Sequence, residues 1–242
     1  MKKIIILSLF SFIVCNNLVY GQFFSDNRDN LILSTKRDLD KKSITLNNSG
    51  ASVDLSEIKG SPYAKESFSP GKLFNKTLEK SYSYFLRYNI YNDIIEIKNE
   101  NQSVELLRSP NLSATFNNLD YHFEEYLNDD TEESINKGYF VLLQNGKKYK
   151  LFLKNIKRYN DPVQAETAYN KSYPASFSDF EAFYMKEDDK RLVQIKKKKK
   201  QFLSQIPGMS DEIEKFIKSN KTDLDSEEDL IELFTYMDSL SE

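Results

Sequence analysis

Five carboxylates stand within residues 223–229: Asp223, Asp225, Glu227, Glu228 and Asp229. Such a cluster suggests a calcium loop, in which oxygens at alternate positions face one ion and a glycine at the sixth position makes the sharp turn. With Asp223 and Asp225 at the first and third positions, Glu228 falls where the glycine is needed. Phe234 falls where the closing bidentate glutamate should stand. The loop pattern fails. Carboxylates in the first turn of a helix complement its dipole, and that reading accounts for the run.

Lys196, Lys197, Lys198, Lys199 and Lys200 are consecutive. They suggest a patch for an anionic envelope polymer, such as lipopolysaccharide phosphates or acidic polysaccharide. The plainer reading is a solvated strand-to-helix junction whose aliphatic stems cover apolar surface. Lysines at a helix start oppose its dipole by about a few tenths of a kcal/mol each. Arg87-Tyr88-Asn89-Ile90-Tyr91-Asn92-Asp93 offers a second binding candidate. Arg87, Tyr88 and Tyr91 could stack on and hydrogen-bond a sugar or peptide, although the chain has no Trp for a carbohydrate platform. The same stretch also reads as a tight turn at Asn92-Asp93 between strands with half-buried tyrosines.

His122 is the only histidine, so multi-histidine metal sites and two-histidine mechanisms are excluded. It is expected on the outer or less buried face of its strand. No Gly-x-Ser-x-Gly elbow exists, and the seven glycines are too scattered to make a phosphate loop. No motif calls for a cofactor. Two carboxylates with a raised pKa could still make a glycosidase, which the sequence leaves open.

These groups must be held by a fold whose dominant period from Leu73 to Ile195 is two. Tyr82, Tyr84, Leu86 and Tyr88 share a face, with Ser83 and Arg87 opposite. Ile95 and Ile97 alternate with Glu96 and Lys98, then Asn99-Glu100-Asn101 turns the chain into Val104 and Leu106. Tyr121, Phe123 and Leu127 alternate with His122, Glu124 and Tyr126. Residues 139–143 are apolar on both faces, as in a central strand. Asn145-Gly146 between alternating runs predicts a two-residue hairpin with positive φ, and Lys148, Lys150 and Lys154 point away from Tyr149, Leu151 and Leu153. A further pair, 179–186 and 191–195, is joined by Glu187–Lys190. About eight antiparallel strands in a meander should curl into a barrel-like or strongly bent sheet.

After Ile195 the period becomes helical. Phe202, Leu203 and Ile206 fit a short helix stopped by Pro207-Gly208. Ser210 is expected to cap a second, with Ile213, Phe216 and Ile217 on its apolar face. Ser226 is expected to cap a third, in which Leu230, Leu233, Phe234 and Met237 follow the i, i+3, i+4, i+7 rule.

Residues 1–21 read as a cleaved secretory leader: a basic Met1-Lys2-Lys3, an apolar run Ile4–Val14, and short residues before Gln22. The run is shorter than the ~20 residues of a spanning helix, and Asn16-Asn17 interrupts it. Cys15, the only cysteine, lies inside this leader behind Phe12-Ile13-Val14, an unsuitable approach for lipidation. Cleavage after Gly21 leaves no thiol for a disulfide, a nucleophile or a zinc ligand. It also lowers the 34 basic residues to 32 against 37 acidic ones, a net charge of −5 that argues against nucleic acid as a partner.

Gly60-Ser61-Pro62-Tyr63, Pro70-Gly71-Lys72, Leu86–Asp93 and the lysine-rich junction before Glu228–Ile231 resemble an uncharacterised family of exported β-rich proteins of Bacteroidota. The resemblance implies an exported β-rich fold and transfers no site. The expected organisation is therefore a signal peptide at 1–21, an irregular arm at 22–59 whose apolar patches Leu31–Leu33 and Ile44–Leu46 could pair as edge strands, an antiparallel β domain at 60–196, and a helical tail at 197–242. The fold class is α+β, predominantly antiparallel β. The expected role is a non-catalytic binding or structural module of the cell envelope, periplasmic or extracellular, with no transmembrane span in the mature chain. The partner would be an anionic polymer or another envelope protein. A hydrolase using paired carboxylates and a lipid or small-molecule carrier are the alternatives.

Overall fold

The computed structural model describes residues 32–38, 43–46, 49–127, 135–165 and 171–240; the stretch 1–21 expected to be a leader and residues 22–31 lie outside these. The strands are β1 (Ile32–Asp38), β2 (Ser43–Thr45), β3 (Ser52–Asp54), β4 (Ser69–Asn75), β5 (Lys80–Asn89), β6 (Ile94–Asn99), β7 (Gln102–Leu106), β8 (Leu112–Phe116), β9 (Leu119–Leu127), β10 (Ile135–Asn145), β11 (Tyr149–Asn160), β12 (Ser176–Glu187) and β13 (Leu192–Gln194). Eleven of them form one sheet in the order β1-β7-β6-β5-β4-β8-β9-β10-β11-β12-β13, while β2 and β3 pair separately. The mostly antiparallel β fold is as the period-two pattern predicts. The two apolar patches of the arm do not pair with each other: β1 adds to β7, and Ile44 lies opposite Val53.

Alternation sorts β5 as expected, with Tyr84, Leu86 and Tyr88 buried and Ser83 exposed. The turns after β5, β6 and β12 are present, and Asp93, Glu100 and Asp188 take positive φ of 52°, 53° and 49° there. Strand order departs from chain order at both ends of the β4–β7 run: β1 lies beside β7, and β8 lies beside β4.

The last five strands close on themselves. β13 pairs with β12 on one side and β9 on the other. In a five-strand meander the first and fifth strands run the same way, so this closure must be parallel, and Leu192 pairs with Tyr126 in that sense. The ring interior is packed by Phe140, Phe152, Ala182, Tyr184 and Leu192. Its aromatic rings meet edge to face, Phe140 and Tyr184 at 5.0 Å between centroids. That geometry suits ring quadrupoles in a narrow barrel.

The β10–β11 hairpin differs from its expected form. Gly146, Lys147 and Lys148 all lie between the strands, the register shifts between Leu142 and Gln144, and Gly146 does not adopt positive φ. Glycine is required by crowding instead: a Cβ there would stand 2.6 Å from Asp238 Oδ1 and collide with the Tyr149 carbonyl. Gly146→Val should therefore cost on the order of 1–3 kcal/mol through overpacking. A melting temperature equal to wild type would refute that explanation.

The tail forms α1 (Lys199–Gln205), α2 (Ser210–Asn220) and α3 (Glu227–Ser239). Ser226 caps α3 as expected, its Oγ accepting the Asp229 N–H at 3.3 Å. Ser210 is instead the first residue of α2, whose cap is Met209 with no side-chain bond. Leu230, Leu233, Phe234 and Met237 are all fully buried in the main core, together with Leu151, Leu153 and Met185 of the sheet. The helices thus cover the outer face of the closed ring.

Buried tyrosines make this core sensitive to alkali. Burial pushes the phenols of Tyr121 and Tyr184 up to about 12, and Tyr149, burial again leading, also to about 12. Tyr88 and Tyr139 are raised further, first by burial and then by Asp93. A raised folded pKa means the folded state holds its proton longer. Its stabilisation is complete below the unfolded value of ~10 and is lost as pH rises toward 12. Burial lowers the Lys154 ammonium, which acts in the opposite sense, but it is one group against six tyrosines, since burial raises Tyr126 too. A unfolding transition between roughly pH 10 and 12, coincident with a step in tyrosinate absorbance, is expected. Smooth ionisation of all tyrosines without unfolding would contradict it.

Candidate functional site

Arg87, Tyr88 and Tyr91 lie on β5 and the turn after it, where each is fixed by neighbours. The Arg87 guanidinium lies between the rings of Tyr63 and Phe68, 3.8 and 4.3 Å from their centroids. It donates to buried Glu96 through Nε at 3.1 Å and to the Glu66 carbonyl at 2.9 Å. Tyr91 packs on Phe177 with centroids 5.3 Å apart, and its N–H donates to the Pro62 carbonyl. Tyr88 is buried and donates from its hydroxyl to Asp93 Oδ1 at 2.6 Å.

Asp93 is the centre of a network that sequence reasoning missed. Its carboxylate also accepts the Tyr139 N–H at 3.2 Å and the Lys154 Nζ–H at 2.7 Å. Lys154 donates a second bond to the Tyr139 carbonyl at 3.0 Å and lies 4.9 Å from the Phe140 ring centroid. Gly138 leaves the space, since a Cβ there would collide with both Asp93 Oδ2 and Lys154 Nζ. Lys154 does point away from Leu151 and Leu153, but that face is the inside of the closed ring, so the side chain is buried. The signal was present in the two-sided apolar run at 139–143, which says that both faces of this part of the sheet are covered. With every oxygen of Asp93 occupied by donors of the same chain, the network joins the β5–β6 turn to the ring and leaves little for substrate.

The lysine run stands at the junction of β13 and α1, apart from Arg87. Lys197 pairs with Asp225, and Lys199 pairs with Glu214 at 3.1 Å. Lys198 is the N-cap of α1, without a side-chain cap bond, and Lys197 to Lys200 are exposed. The acidic run is likewise used locally: Asp229 Oδ2 accepts the Asp223 N–H at 2.7 Å, and Asp223 Oδ1 accepts the Asp225 N–H at 2.9 Å. Among the described residues no cluster of three potential metal ligands occurs. His122 is mostly buried, 15% exposed in its side chain, with Nε2 2.9 Å from Asp120 Oδ2 and its ring in a T-shaped contact with Phe152.

A pocket of about 570 Å³ opens where β9, the β12–β13 turn and α1 meet. Leu127, Tyr149, Met185 and Val193 supply its apolar lining. Gln205 closes one side, donating to the Gln194 carbonyl at 2.8 Å and accepting the Lys196 N–H at 3.1 Å, which ties α1 to β13. Glu125, Glu187, Asp189, Lys190 and Arg191 bring charge to it. Hydrogen bonds from Lys137 and then Arg191 hold the Glu125 carboxyl below its usual range. Lys190 does the same for Glu187, at 2.6 Å, with the Tyr149 hydroxyl donating at 3.3 Å. Both glutamates are therefore ionised at neutral pH. No described helix is long and apolar enough to cross a membrane. The chain matches no protein-family profile, no curated protein and no solved structure, so its site is read from its own geometry.

Proposed function

We propose that the chain is an exported protein of the cell envelope that binds a small ligand in the pocket beside β13 and does not transform it. The pocket is the observation that carries this reading, because its volume lies inside the ~300–1,000 Å³ usual for small-molecule sites and its lining combines an apolar floor with convergent charges. The leader-like stretch at 1–21 and the resemblance to exported Bacteroidota proteins support the compartment. A hydrolase working through paired carboxylates needs one of them protonated near neutral pH. Glu125 and Glu187 are held the other way. A lipid carrier needs an open apolar cavity, whereas the ring interior is filled by aromatic side chains. The anionic-polymer reading of Lys196–Lys200 has less support, since Lys197 and Lys199 already pair with carboxylates of the same chain.

Protein recovered from its own cells should begin at Gln22 on N-terminal sequencing. Native mass spectrometry of that material should show a bound small molecule that keeps its mass on prolonged incubation. A retained Met1–Gly21 would overturn export, and a ligand whose mass changes would overturn the non-catalytic reading.

A further inference from the structure

Resting on the reading of this pocket as a binding site, we propose that its ligand is a short apolar peptide with free amino and carboxyl ends. The charges around the pocket are not equally available. Glu125 is engaged by Lys137 and Arg191, and Glu187 by Lys190 and Tyr149. Asp189, exposed on the turn, accepts no hydrogen bond among the described residues. Arg191 uses only Nε, at 3.3 Å from Glu125 Oε2, which leaves its two terminal nitrogens for a ligand. One anion and one cation, two residues apart in the chain and both lining the pocket, fit a zwitterion.

The carboxyl end of the peptide meets the Arg191 guanidinium, whose planar fork matches a carboxylate. Its amino end meets Asp189. Apolar side chains lie on Leu127, Met185, Val193 and the Tyr149 ring. The volume of about 570 Å³ accommodates more than one amino acid. A nucleotide or other polyanion is disfavoured, because three carboxylates face the pocket against two cations.

The test is calorimetric titration of the purified protein with tri-leucine, its N-acetylated form and its C-terminal amide. Tri-leucine with free ends should bind, and blocking either end should weaken binding about tenfold or more, the loss of one charge-assisted hydrogen bond. Arg191→Met should weaken the free peptide about tenfold and leave the amide unaffected; Asp189→Asn should do the same with respect to the acetylated peptide. Glu125 keeps Lys137 in the first variant, and unchanged melting temperatures would establish that both variants are folded. Equal binding of all three peptides overturns the proposal, as does tighter binding of lysophosphatidylethanolamine, a zwitterion from lipid. If no peptide binds while native mass spectrometry still shows a ligand, the peptide assignment falls and the binding role stands. If neither probe nor native ligand is found, both fall.

Discussion

Asp93→Asn should destabilise the fold by about 3–5 kcal/mol, the usual cost of leaving a buried charge without its partner. The stranded charge is the Lys154 ammonium, whose side chain is only 8% exposed. Lys154→Met should cost less, because Asp93 is 27% exposed and keeps its bonds from Tyr88 and the Tyr139 N–H. The double variant should be more stable than the sum of the singles predicts, since a methionine over Phe140 needs no counter-charge. Urea unfolding of the four proteins measures this directly. Additive losses, or an Asp93→Asn variant within about 1 kcal/mol of wild type, would show that the pair does not couple the β5–β6 turn to the ring.

Phe234→Ala should cost roughly 3–5 kcal/mol as well, for a different reason. Phe234 has no exposed surface and belongs to the core shared by sheet and helices. Truncation there removes apolar burial and leaves a cavity that the sheet beneath cannot easily fill. Because the core is continuous, helix and sheet signals should be lost in one transition at a lower temperature. Two separate transitions, or protease removal of residues 197–240 with the sheet intact, would show that the tail is a weakly attached unit.

What residues 60–240 could reveal by themselves was local. Alternation in Tyr82–Tyr88 assigns β5 and its inner face, the turns at Asn92-Asp93 and Glu100-Asn101 follow from residue type, and the cap at Ser226 with Leu230, Leu233, Phe234 and Met237 assigns α3 and its buried side. In each case the cause is backbone conformation or side-chain period within a few residues, so no distant partner is needed. The hairpin at Gly146 was legible in position but not in cause. Its glycine answers to Asp238, on a helix that the hairpin sequence cannot anticipate.

The same limit explains the site. A period of two says that a strand has two faces, not what covers each, so Lys154 reads as solvated until ring closure places it inside. Asp93, 61 residues away, then becomes its counter-charge, and Gly138 becomes the space both occupy. Arg87, Tyr88 and Tyr91 stand out as a binding motif in sequence, yet Tyr63, Phe68, Glu96 and Phe177 occupy their binding surfaces. The pocket draws its lining from β9, β11, β12, β13 and α1. The sequence by itself determined elements, turns and the apolar face of the tail, because those depend on neighbours along the chain. Only the tertiary structure decided which charges are buried, which are paired and which remain for a ligand, because those depend on contacts between segments far apart in sequence.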